Sequence, residues 1–289
     1  MQLVRVEHAS KKYKEWVRIE WNMGRRCNFD CSYCGRDLHD NTSKHFPYEK
    51  FEYTISTLRD FYKNKQIRMS LTGGEPFVHP RILDILALFP KYGVEEVSTI
   101  TNGSLPLKKY QQALEYINNL IFSWHFEFLR VDHMKHVLTN LDRKQVKVHL
   151  MYLPGKLKEI HEVVEWLKDN KIKFNIRRIR PMTNDKGEFN PPHASGMLFD
   201  GFQFGGAEGY YSKEELEYMN TFKRWKCMAG IETLMIDNDG SVYRATCKQG
   251  GMLGNIETGF TLEADPVVCA KQWCNCAADL NTTKWLEAV

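Results

Sequence analysis

No run of apolar residues in this 289-residue sequence approaches the roughly 18 residues that a membrane-spanning helix needs. The N-terminal segment also lacks the uninterrupted apolar core of a signal peptide, because Arg5, Glu7 and His8 break it and lysines follow. Neither a membrane span nor secretion is indicated. We therefore expect a cytoplasmic protein.

Blocks of like charge are missing as well. The net charge is +4, from 40 Lys and Arg residues against 36 Asp and Glu residues that are dispersed along the chain. Tails that bind nucleic acid carry runs of one sign, so the sequence gives no clear nucleic-acid signal. A hydrophobic content of 43% is ordinary for a globular protein, and the length suits one large α/β domain with a small addition, or two medium domains.

Cysteine is absent from the middle of the chain. The eight cysteines fall into two groups, of which the first ends at Cys34 and the second begins at Cys227. In a reducing compartment such clusters indicate metal ligation rather than disulfide bonds.

The first group has three residues between Cys27 and Cys31 and two between Cys31 and Cys34. Three thiolates this close can hold an iron–sulfur cube and leave one iron open for chemistry, as an open coordination position does in catalytic zinc sites. A zinc knuckle is the alternative. Zinc sites usually show paired C-x-x-C units, however, and a second such pair at the distance of a small finger is missing.

This cysteine pattern, with Tyr33 before the last thiol, resembles the cluster motif of the radical S-adenosylmethionine (SAM) superfamily. The resemblance implies that Cys27, Cys31 and Cys34 bind a [4Fe–4S] cluster and that Tyr33 lies against the adenine side of SAM. It also implies a reaction. The free iron chelates SAM, reduction cleaves SAM to methionine and a 5′-deoxyadenosyl radical, and the radical abstracts a hydrogen from the substrate.

A second motif follows the next predicted strand, in the residues Thr72-Gly73-Gly74-Glu75-Pro76. A glycine pair at a strand end permits positive φ and a close approach of the backbone to a ligand, although alone it would indicate only a turn. At this place it resembles the GGEP motif of the same family. The resemblance implies that Gly73, Gly74 and Glu75 hold the methionine end of SAM.

Strand-like and helix-like patterns alternate up to about residue 181 and predict a parallel sheet with crossover helices. Six strands are too few for a closed eight-stranded barrel, and the pattern alone leaves an open barrel and a flat sheet possible. The family resemblance implies a partial (β/α)6 TIM-like barrel. The predicted strands are 17–23, 67–72, 97–101, 120–127, 146–153 and 174–180, and apolar residues at helical spacing are Phe51, Ile55, Leu58, Phe61, Met134, Val137, Leu138, Leu141, Ile160, Val163, Val164 and Leu167.

Polar residues late in the predicted fourth strand are the catalytic candidates. A period of two places Ser123, His125 and Glu127 on one face, which is unusual for a strand buried on both sides. Ser123 is also a candidate for SAM binding, together with Asn102 after the third strand. A hydrogen-bonded core histidine is the alternative for His125.

The fifth and sixth strands add weaker candidates. His149 and Tyr152 lie in the predicted fifth strand, and Arg178 and Arg180 share one face of the sixth. Two arginines at a barrel mouth could clamp a carboxylate of SAM or of the substrate. Arg177 is expected to form surface ion pairs instead.

Three parts of the chain are predicted: a barrel in residues 1–181, a connecting segment in 182–225 and a C-terminal domain in 226–289. Residues 182–211 are rich in glycine and aromatic residues, and we expect them to pack over the barrel mouth. Ser212 and Glu215 then have the spacing of a helical capping box, with a helix predicted to about Trp225.

The second cysteine group is arranged around a predicted hairpin that turns near Gly240. It resembles the SPASM/twitch appendage of radical SAM enzymes, which implies an auxiliary [4Fe–4S] cluster. Six residues separate Gly240 from Cys247, more than is usual in the family, and the tail reads CxxxxCxC, so the ligand set is open. The candidate ligands are Cys227, Cys247, Cys269, Cys274 and Cys276. A zinc ion held by four thiolates is the alternative.

The sequence therefore predicts a radical SAM enzyme with an unknown substrate. Only 16 residues precede the first predicted strand, fewer than the recognition domain of many peptide-modifying relatives, so a peptide or protein side chain is favoured only slightly. A small-molecule dehydrogenase or isomerase is the second hypothesis, and a non-catalytic metal-binding protein is the third. The family resemblance also implies a reductant protein such as flavodoxin or ferredoxin.

Overall fold

The barrel region alternates strands and helices as predicted. The computed structural model describes residues 5–7, 15–35, 37–152, 155–178, 198–199, 202–203, 222–271, 274 and 282–286. Its first elements are β1 (Arg5–Val6), β2 (Trp16–Asn22), α1 (Tyr48–Phe61), β3 (Gln66–Thr72), α2 (Ile82–Lys91), β4 (Glu96–Thr101), α3 (Leu107–Ala113), β5 (Asn119–Trp124), α4 (Val131–Thr139), β6 (Val146–Tyr152), α5 (Leu157–Asp169) and β7 (Lys173–Arg178). Strands β2 to β7 are parallel and pair in chain order, with β7 at the edge of the sheet. The predicted α/β architecture of an open TIM-like barrel is confirmed.

The core lies between the sheet and the helices. In β2, Val17, Ile19 and Trp21 are buried while the residues between them are half-buried on the other face, as a period of two requires. The residues predicted at helical spacing are buried, except Phe61, which is 38% exposed at the last position of α1 and packs edge-on against Tyr62. Of the described helices, none is long and apolar enough to cross a membrane.

The predicted fourth strand has a different end. It was predicted to reach residue 127, but β5 ends at Trp124, and residues 125–128 form a turn in which the amide of Leu129 donates to the carbonyl of His125 at 3.0 Å. The sixth was predicted to reach residue 180, and its last two residues lie outside the described part, which follows β7 to Arg178. Helices α2 and α3 were not among the predicted helical segments.

Charged side chains fill the inner face at the N-terminal ends of the strands. The guanidinium of Arg68 on β3 lies 2.5 Å from the carboxylate of Glu96 on β4 and 4.4 Å from the ring centroid of Trp16 on β2. An ion pair and a cation–π contact thus stabilise this half-buried arginine. The carboxyl ends of the strands are left for the candidate site, where α/β folds usually bind ligands.

The later elements are short strands: β8 (Leu198–Phe199), β9 (Phe202–Gln203), β10 (Lys226–Cys227), β11 (Thr233–Ile236), β12 (Ser241–Tyr243), β13 (Met252–Asn255), β14 (Gly259–Phe260), β15 (Val267–Val268) and β16 (Lys284–Trp285). The predicted hairpin is present as β11 and β12, with Gly240 at a φ of +82° in its turn. Strand β11 also pairs in parallel with β2, with Thr233 opposite Arg18. The hairpin therefore continues the barrel sheet, which runs through ten strands from β14 to β7 within the described residues.

A second sheet joins the two ends of the chain. Its order is β1-β16-β10-β15, and Arg5 lies opposite Trp285 in the antiparallel pairing of β1 with β16. Residues before the barrel are thus part of the C-terminal sheet. The two predicted domain boundaries remain predictions, and most of the connecting segment, including Ser212 and Glu215, lies outside the described residues.

Candidate functional site

The cysteine loop, residues 23–40, is fastened to the end of β3. The amide of Met23 donates to the carbonyl of Thr72 at 2.8 Å, and the amides of Gly74 and Glu75 donate to the carbonyls of Gly24 and Arg26 at 2.9 and 2.8 Å. Both sequence motifs are therefore joined by backbone hydrogen bonds. Their contact brings the first cysteine to the carboxyl end of the sheet.

The three thiols open on one cavity of about 300 Å³. Cys27 and Cys31 are buried, and Cys34 is half-buried. Burial raises the pKa of all three thiols, that of Cys31 to about 11, because it penalises the thiolate. A metal bound here would have to displace those protons, as thiolate ligands require. The cavity is lined by Asn22, Cys27, Phe29, Cys31, Cys34, Leu38, His39, Thr72, Gly73, Gly74, Glu75, Ile100, Thr101, Asn102, Ser123, His125 and Asn238.

The glycine pair makes a close approach, but to the cysteine loop. Gly73 has a φ of +124°, and a Cβ there would lie 2.6 Å from the carbonyl oxygen of Gly24. A Cβ on Gly74 would collide with the carbonyl oxygens of Arg25 and Arg26. The glycines are needed first for this backbone packing, which the sequence interpretation had assigned to a ligand. Their contact with SAM remains a prediction.

We expect Gly74→Val to disrupt the cysteine loop and not only SAM binding. The added side chain has to push the backbone at Arg25 and Arg26 away, and overpacking of this kind costs about 1–3 kcal/mol. Iron retained by the N-terminal cysteines after anaerobic reconstitution should therefore fall by about tenfold or more.

The control for this variant is Gly93→Ala. Gly93 has a φ of +68°, so alanine strains the backbone locally, but a Cβ there would meet no atom within 4 Å and would not touch the cysteine loop. Iron retention should therefore match that of the wild type. Full iron retention in Gly74→Val, accompanied by loss of SAM binding, would contradict the loop-packing explanation and favour a direct approach of the glycine to SAM.

Glu75 is a buried carboxylate that ties three elements together. Its Oε1 accepts hydrogen bonds from the amide of Phe77 at 3.0 Å and the hydroxyl of Thr101 at 2.8 Å, and its Oε2 accepts from the amide of Asn102 at 2.5 Å. Burial raises its pKa to about 7, while these hydrogen bonds act in the opposite direction. One lone pair of Oε2 has no protein donor, so an ammonium group in the cavity could still be accepted there.

Asn102 lies between this carboxylate and the first cysteine. Its side-chain amide donates to Oδ1 of Asn28 at 2.8 Å and reaches the sulfur of Cys27 at 3.8 Å. The side-chain amide of Asn28 in turn donates to the hydroxyl of Ser104 at 2.9 Å. The loop after β4 thus supports the cysteine loop, a role that the turn sequence around Asn102 did not reveal.

The three catalytic candidates do not share one strand face, because β5 ends before two of them. Ser123 is buried and lines the cavity, and so does His125. Burial lowers the pKa of His125 to about 4, so its ring is neutral near pH 7. The ring Nδ1 of His125 lies 2.7 Å from the hydroxyl of Tyr33. Glu127 does not line the cavity, because its carboxylate accepts hydrogen bonds from Ser32.

Strand register decides which residues of β6 and β7 share a face with Ser123. Ser123 on β5 lies opposite His149 on β6. The next residue on the same face of β6 is Met151, which lies opposite Arg177 on β7. Burial, followed by the charges of Arg177 and Lys147, lowers the pKa of His149 to about 3. Arg177 therefore lies on the inner face, not on the surface as predicted.

The other arginine positions differ from this one. Arg178 lies in register with Tyr152, which is buried in the main core, so its strand position alternates with that of Arg177. The side chain of Arg178 and all of Arg180 lie outside the described residues. Their predicted contact with SAM remains a prediction.

The C-terminal cysteines lie in and around the four-stranded sheet. Cys227 on β10 pairs with Val267 on β15, and the amide of Cys269 donates to the carbonyl of Trp225 at 2.8 Å. Cys227 and Cys247 belong to one small apolar cluster, and Cys269 and Cys274 belong to another. Cys276 lies outside the described residues. No three described His, Cys, Asp or Glu side chains are gathered around one point as the ligands of a single metal ion would be.

A buried lysine accompanies these cysteines. Lys284 on β16 lies opposite Cys227 in the antiparallel pairing and is 2% exposed. Its ammonium donates to the carbonyl of Thr282 at 2.9 Å and lies 5.1 Å from the ring centroid of Phe222. Full burial is rare for a lysine. No motif in the sequence pointed to this residue.

Two further residues of the cavity wall were missed from sequence. Asn22 ends β2, and its amide donates to the carboxylate of Asp237 at 3.3 Å. Asn238, in the turn of the C-terminal hairpin, lines the cavity and donates to the carbonyl of Asp37 at 2.9 Å. The C-terminal part therefore contributes to the same cavity as the three cysteines. Only the pairing of β11 with β2 reveals this.

Comparison with known proteins identifies the family. A family model described as the Radical SAM superfamily matches residues 21–180, which is more than half of the chain and includes both motifs. The GTP 3′,8-cyclase of Psychromonas ingrahamii is 28% identical over 211 residues, 66% of this chain and 60% of that protein. The putative peptide biosynthesis protein YydG of Bacillus subtilis is 27% identical over 179 residues, 57% of this chain and 54% of that protein. The chain thus spans less than two thirds of either relative.

Solved structures extend the similarity beyond the barrel. Streptococcus suis SuiB bound to S-adenosylmethionine superposes with a TM-score of 0.58 at 16% sequence identity, over 84% of this chain and 64% of that chain. Residues 1–178 are less than two thirds of this chain, so the shared fold includes part of the C-terminal region. At this level of identity the similarity shows the fold.

Proposed function

The chain belongs to the radical SAM superfamily and is an enzyme of that family, and from this we propose that it cleaves SAM reductively and abstracts a hydrogen atom from its substrate. The family uses SAM and a [4Fe–4S] cluster. When bound, the cluster supplies the electron that splits SAM into methionine and a 5′-deoxyadenosyl radical. We assign the cluster to Cys27, Cys31 and Cys34.

One observation carries this proposal: the three thiols share a single cavity with the glycine pair, Glu75 and Asn102. The thiols form a three-ligand donor set of the kind that an iron–sulfur cube with one open iron needs. The cavity volume of about 300 Å³ is at the lower end of the range for small-molecule sites. A three-cysteine site with space for a ligand beside it fits both the [4Fe–4S] cluster and SAM.

The protein groups around the cavity suit the two ends of SAM. Glu75 presents a buried carboxylate with a spare lone pair, which fits the amino group of the methionine end. Tyr33 stacks on His125 at 6.0 Å between ring centroids and offers an aromatic ring beside the last thiol. Ser123 and the ring of His125 add polar contacts on the β5 side. Arg177 on the inner face of β7 is our candidate for an acidic group of the substrate.

For the C-terminal cysteines we propose an auxiliary [4Fe–4S] cluster that orients the substrate or takes up the electron left after hydrogen abstraction. Lys284 supports this proposal by its position, since it lies opposite Cys227 across β10 and β16 and places a positive charge near cysteines that would hold an anionic cluster. Four described cysteines supply enough ligands.

We propose a peptide or protein side chain as the substrate. YydG, a relative along 57% of the chain, is named for peptide biosynthesis. Phe29 lines the cavity and is stacked at 5.7 Å on Phe128, which is 44% exposed. This pair offers an apolar surface for a side chain of a peptide substrate. A small-molecule substrate is the second candidate, since the GTP 3′,8-cyclase aligns over 66% of the chain.

The test is anaerobic incubation of reconstituted protein with SAM and dithionite, followed by mass spectrometry for 5′-deoxyadenosine. We expect slow formation of this product without substrate and a clear increase when the peptide fraction of a source-cell extract is added. Stimulation by the small-molecule filtrate alone would contradict the peptide proposal and support the second candidate. Complete absence of 5′-deoxyadenosine from iron-loaded protein would overturn SAM cleavage. Replacing dithionite with reduced flavodoxin or ferredoxin tests the proposed protein reductants.

A further inference from the structure

The turn after β5 holds the cysteine loop by hydrogen bonds. We name residues 125–128 the clamp turn. Within it, Oε2 of Glu127 accepts a hydrogen bond from the amide of Ser32 at 2.7 Å, and Oε1 accepts one from the hydroxyl of Ser32. His125 binds the hydroxyl of Tyr33 through Nδ1 at 2.7 Å. Two successive residues between the second and third cysteines are thus fixed by this turn.

Aromatic contacts add to these hydrogen bonds and involve a residue that precedes Cys31 in the loop. Phe29 stacks on Phe128 with ring centroids 5.7 Å apart and an interplanar angle of 27°, and its edge meets His125 at 6.2 Å. The clamp turn therefore contacts the loop on both sides of Cys31. The turn itself is short and anchored at its base, because the amides of Phe128 and Leu129 both donate to the carbonyl of His125.

Glu127 occupies a particular point in this arrangement. Oε2 of Glu127 accepts a hydrogen bond from the backbone amide of Ser32, the residue directly after Cys31. Ser32 begins a tight turn, which is closed by the hydrogen bond from the amide of Cys34 to the carbonyl of Cys31 at 3.0 Å. A carboxylate that accepts both an amide and a hydroxyl at the start of a turn fixes its orientation, as side-chain caps do for helices. Both oxygens of Glu127 are engaged in this way, and the side chain does not line the cavity.

On the basis of the cluster site proposed above, we propose that Glu127 is a positioning residue for the N-terminal cluster. Its carboxylate sets the turn that presents Cys31 and Cys34, in the way that outer-shell groups orient metal ligands. It is accordingly not a catalytic residue, although the sequence made it a candidate. The same position that suggested chemistry on the substrate serves instead to keep two thiols in place.

The experiment compares Glu127→Ala and Glu127→Gln in iron-reconstituted full-length protein. The alanine variant loses both acceptors, and we expect the N-terminal cluster, identified by its spectroscopic response to SAM, to lose iron to a chelator roughly tenfold faster. The SAM-induced change in the electron paramagnetic resonance spectrum of the reduced cluster should also weaken. The glutamine variant keeps one acceptor for the amide of Ser32, so both properties should be partly restored.

Glu115→Ala is the matched control, because Glu115 is exposed, carries the same charge and follows α3 at a distance from the cysteine loop in sequence. It should lose iron at the wild-type rate. Ser32→Ala, which removes only the hydroxyl donor, should give a smaller acceleration than Glu127→Ala.

The outcomes separate the two proposals. Wild-type rates of iron loss in Glu127→Ala would overturn the positioning role and leave the cluster assignment intact. If the alanine variant does not fold, the glutamine variant decides in the same way, since an unchanged rate there and in Ser32→Ala also overturns it. A wild-type protein that binds no SAM-responsive cluster would overturn the proposed function instead.

Discussion

Replacing Cys31 with alanine should abolish the formation of 5′-deoxyadenosine, not merely slow it. The proposed cluster is held by only three thiolates, so the loss of one leaves two ligands for four irons. Cys31 is the central cysteine of the loop; it is buried and flanked by the turn that contains Ser32 and Tyr33. No other described cysteine lines the cavity besides Cys27 and Cys34. The expected effect is therefore total loss, measured by mass spectrometry under anaerobic conditions.

Two controls separate a lost cluster from a lost fold. Asn64→Ala changes an exposed polar residue in the connection from α1 to β3, at the end of the barrel opposite the cavity, and should keep wild-type activity. Iron bound by the C-terminal cysteines should remain in Cys31→Ala, which would show that the protein is folded. Product formation by Cys31→Ala at the wild-type rate would refute the assignment of the N-terminal cluster.

Periodicity in the sequence was enough to predict the six parallel strands and three of the helices, while the barrel itself was predicted from the family resemblance. Helices α1, α4 and α5 carry apolar residues at a spacing of three and four and were predicted from it. Helix α2 was missed because its residues are apolar on most sides and it contains Pro90, which normally argues against a helix interior. Helix α3, with seven residues, is too short to show a period.

The candidate site was predictable where a motif fixed it and not where tertiary structure did. Both motifs lie at one cavity because parallel strands bring their carboxyl ends together. The alternation expected through Glu127 failed because β5 stops at Trp124, which depends on the contacts of the clamp turn with the cysteine loop. The register of β7 determines whether Arg177 or Arg178 lies on the inner face of the sheet, and a shift of one residue would exchange them. The sequence pattern cannot fix this register, because the strand carries charged residues on both faces.

Long-range pairing was the other limit. Thr233 lies opposite Arg18 across β11 and β2, although more than two hundred residues separate them in sequence. Nothing in the hairpin sequence indicates that its outer edge will pair with the first barrel strand. The consequence is functional, because this pairing carries Asn238 to the cavity that holds the three thiols. The predicted appendage thus shares a wall with the barrel site.

Iron stoichiometry should distinguish the auxiliary cluster from a zinc site in the C-terminal cysteines. Two [4Fe–4S] clusters require about eight irons per chain in anaerobically reconstituted protein, and one cluster requires about four. Replacing Cys27, Cys31 and Cys34 together by alanine should halve the iron content and leave a cluster whose spectrum does not respond to SAM. The matched variant replaces Cys227, on β10, and Cys269, directly after the neighbouring strand β15, and should halve the iron while preserving the response to SAM.

If the C-terminal cysteines bind zinc instead, the same samples should differ in metal content, colour and redox response. Zinc would bind at about one ion per chain, without colour and without a redox response, because Zn²⁺ is closed-shell. Lys284→Met is a second test of the auxiliary cluster, because it removes a buried positive charge beside Cys227 while keeping a side chain of similar length. A redox cluster should then become harder to reduce, which lowers its midpoint potential, whereas exposed Lys223→Met should leave the potential unchanged. Stoichiometric zinc with only four irons in protein purified without air would defeat the auxiliary cluster, and the barrel site would be unaffected.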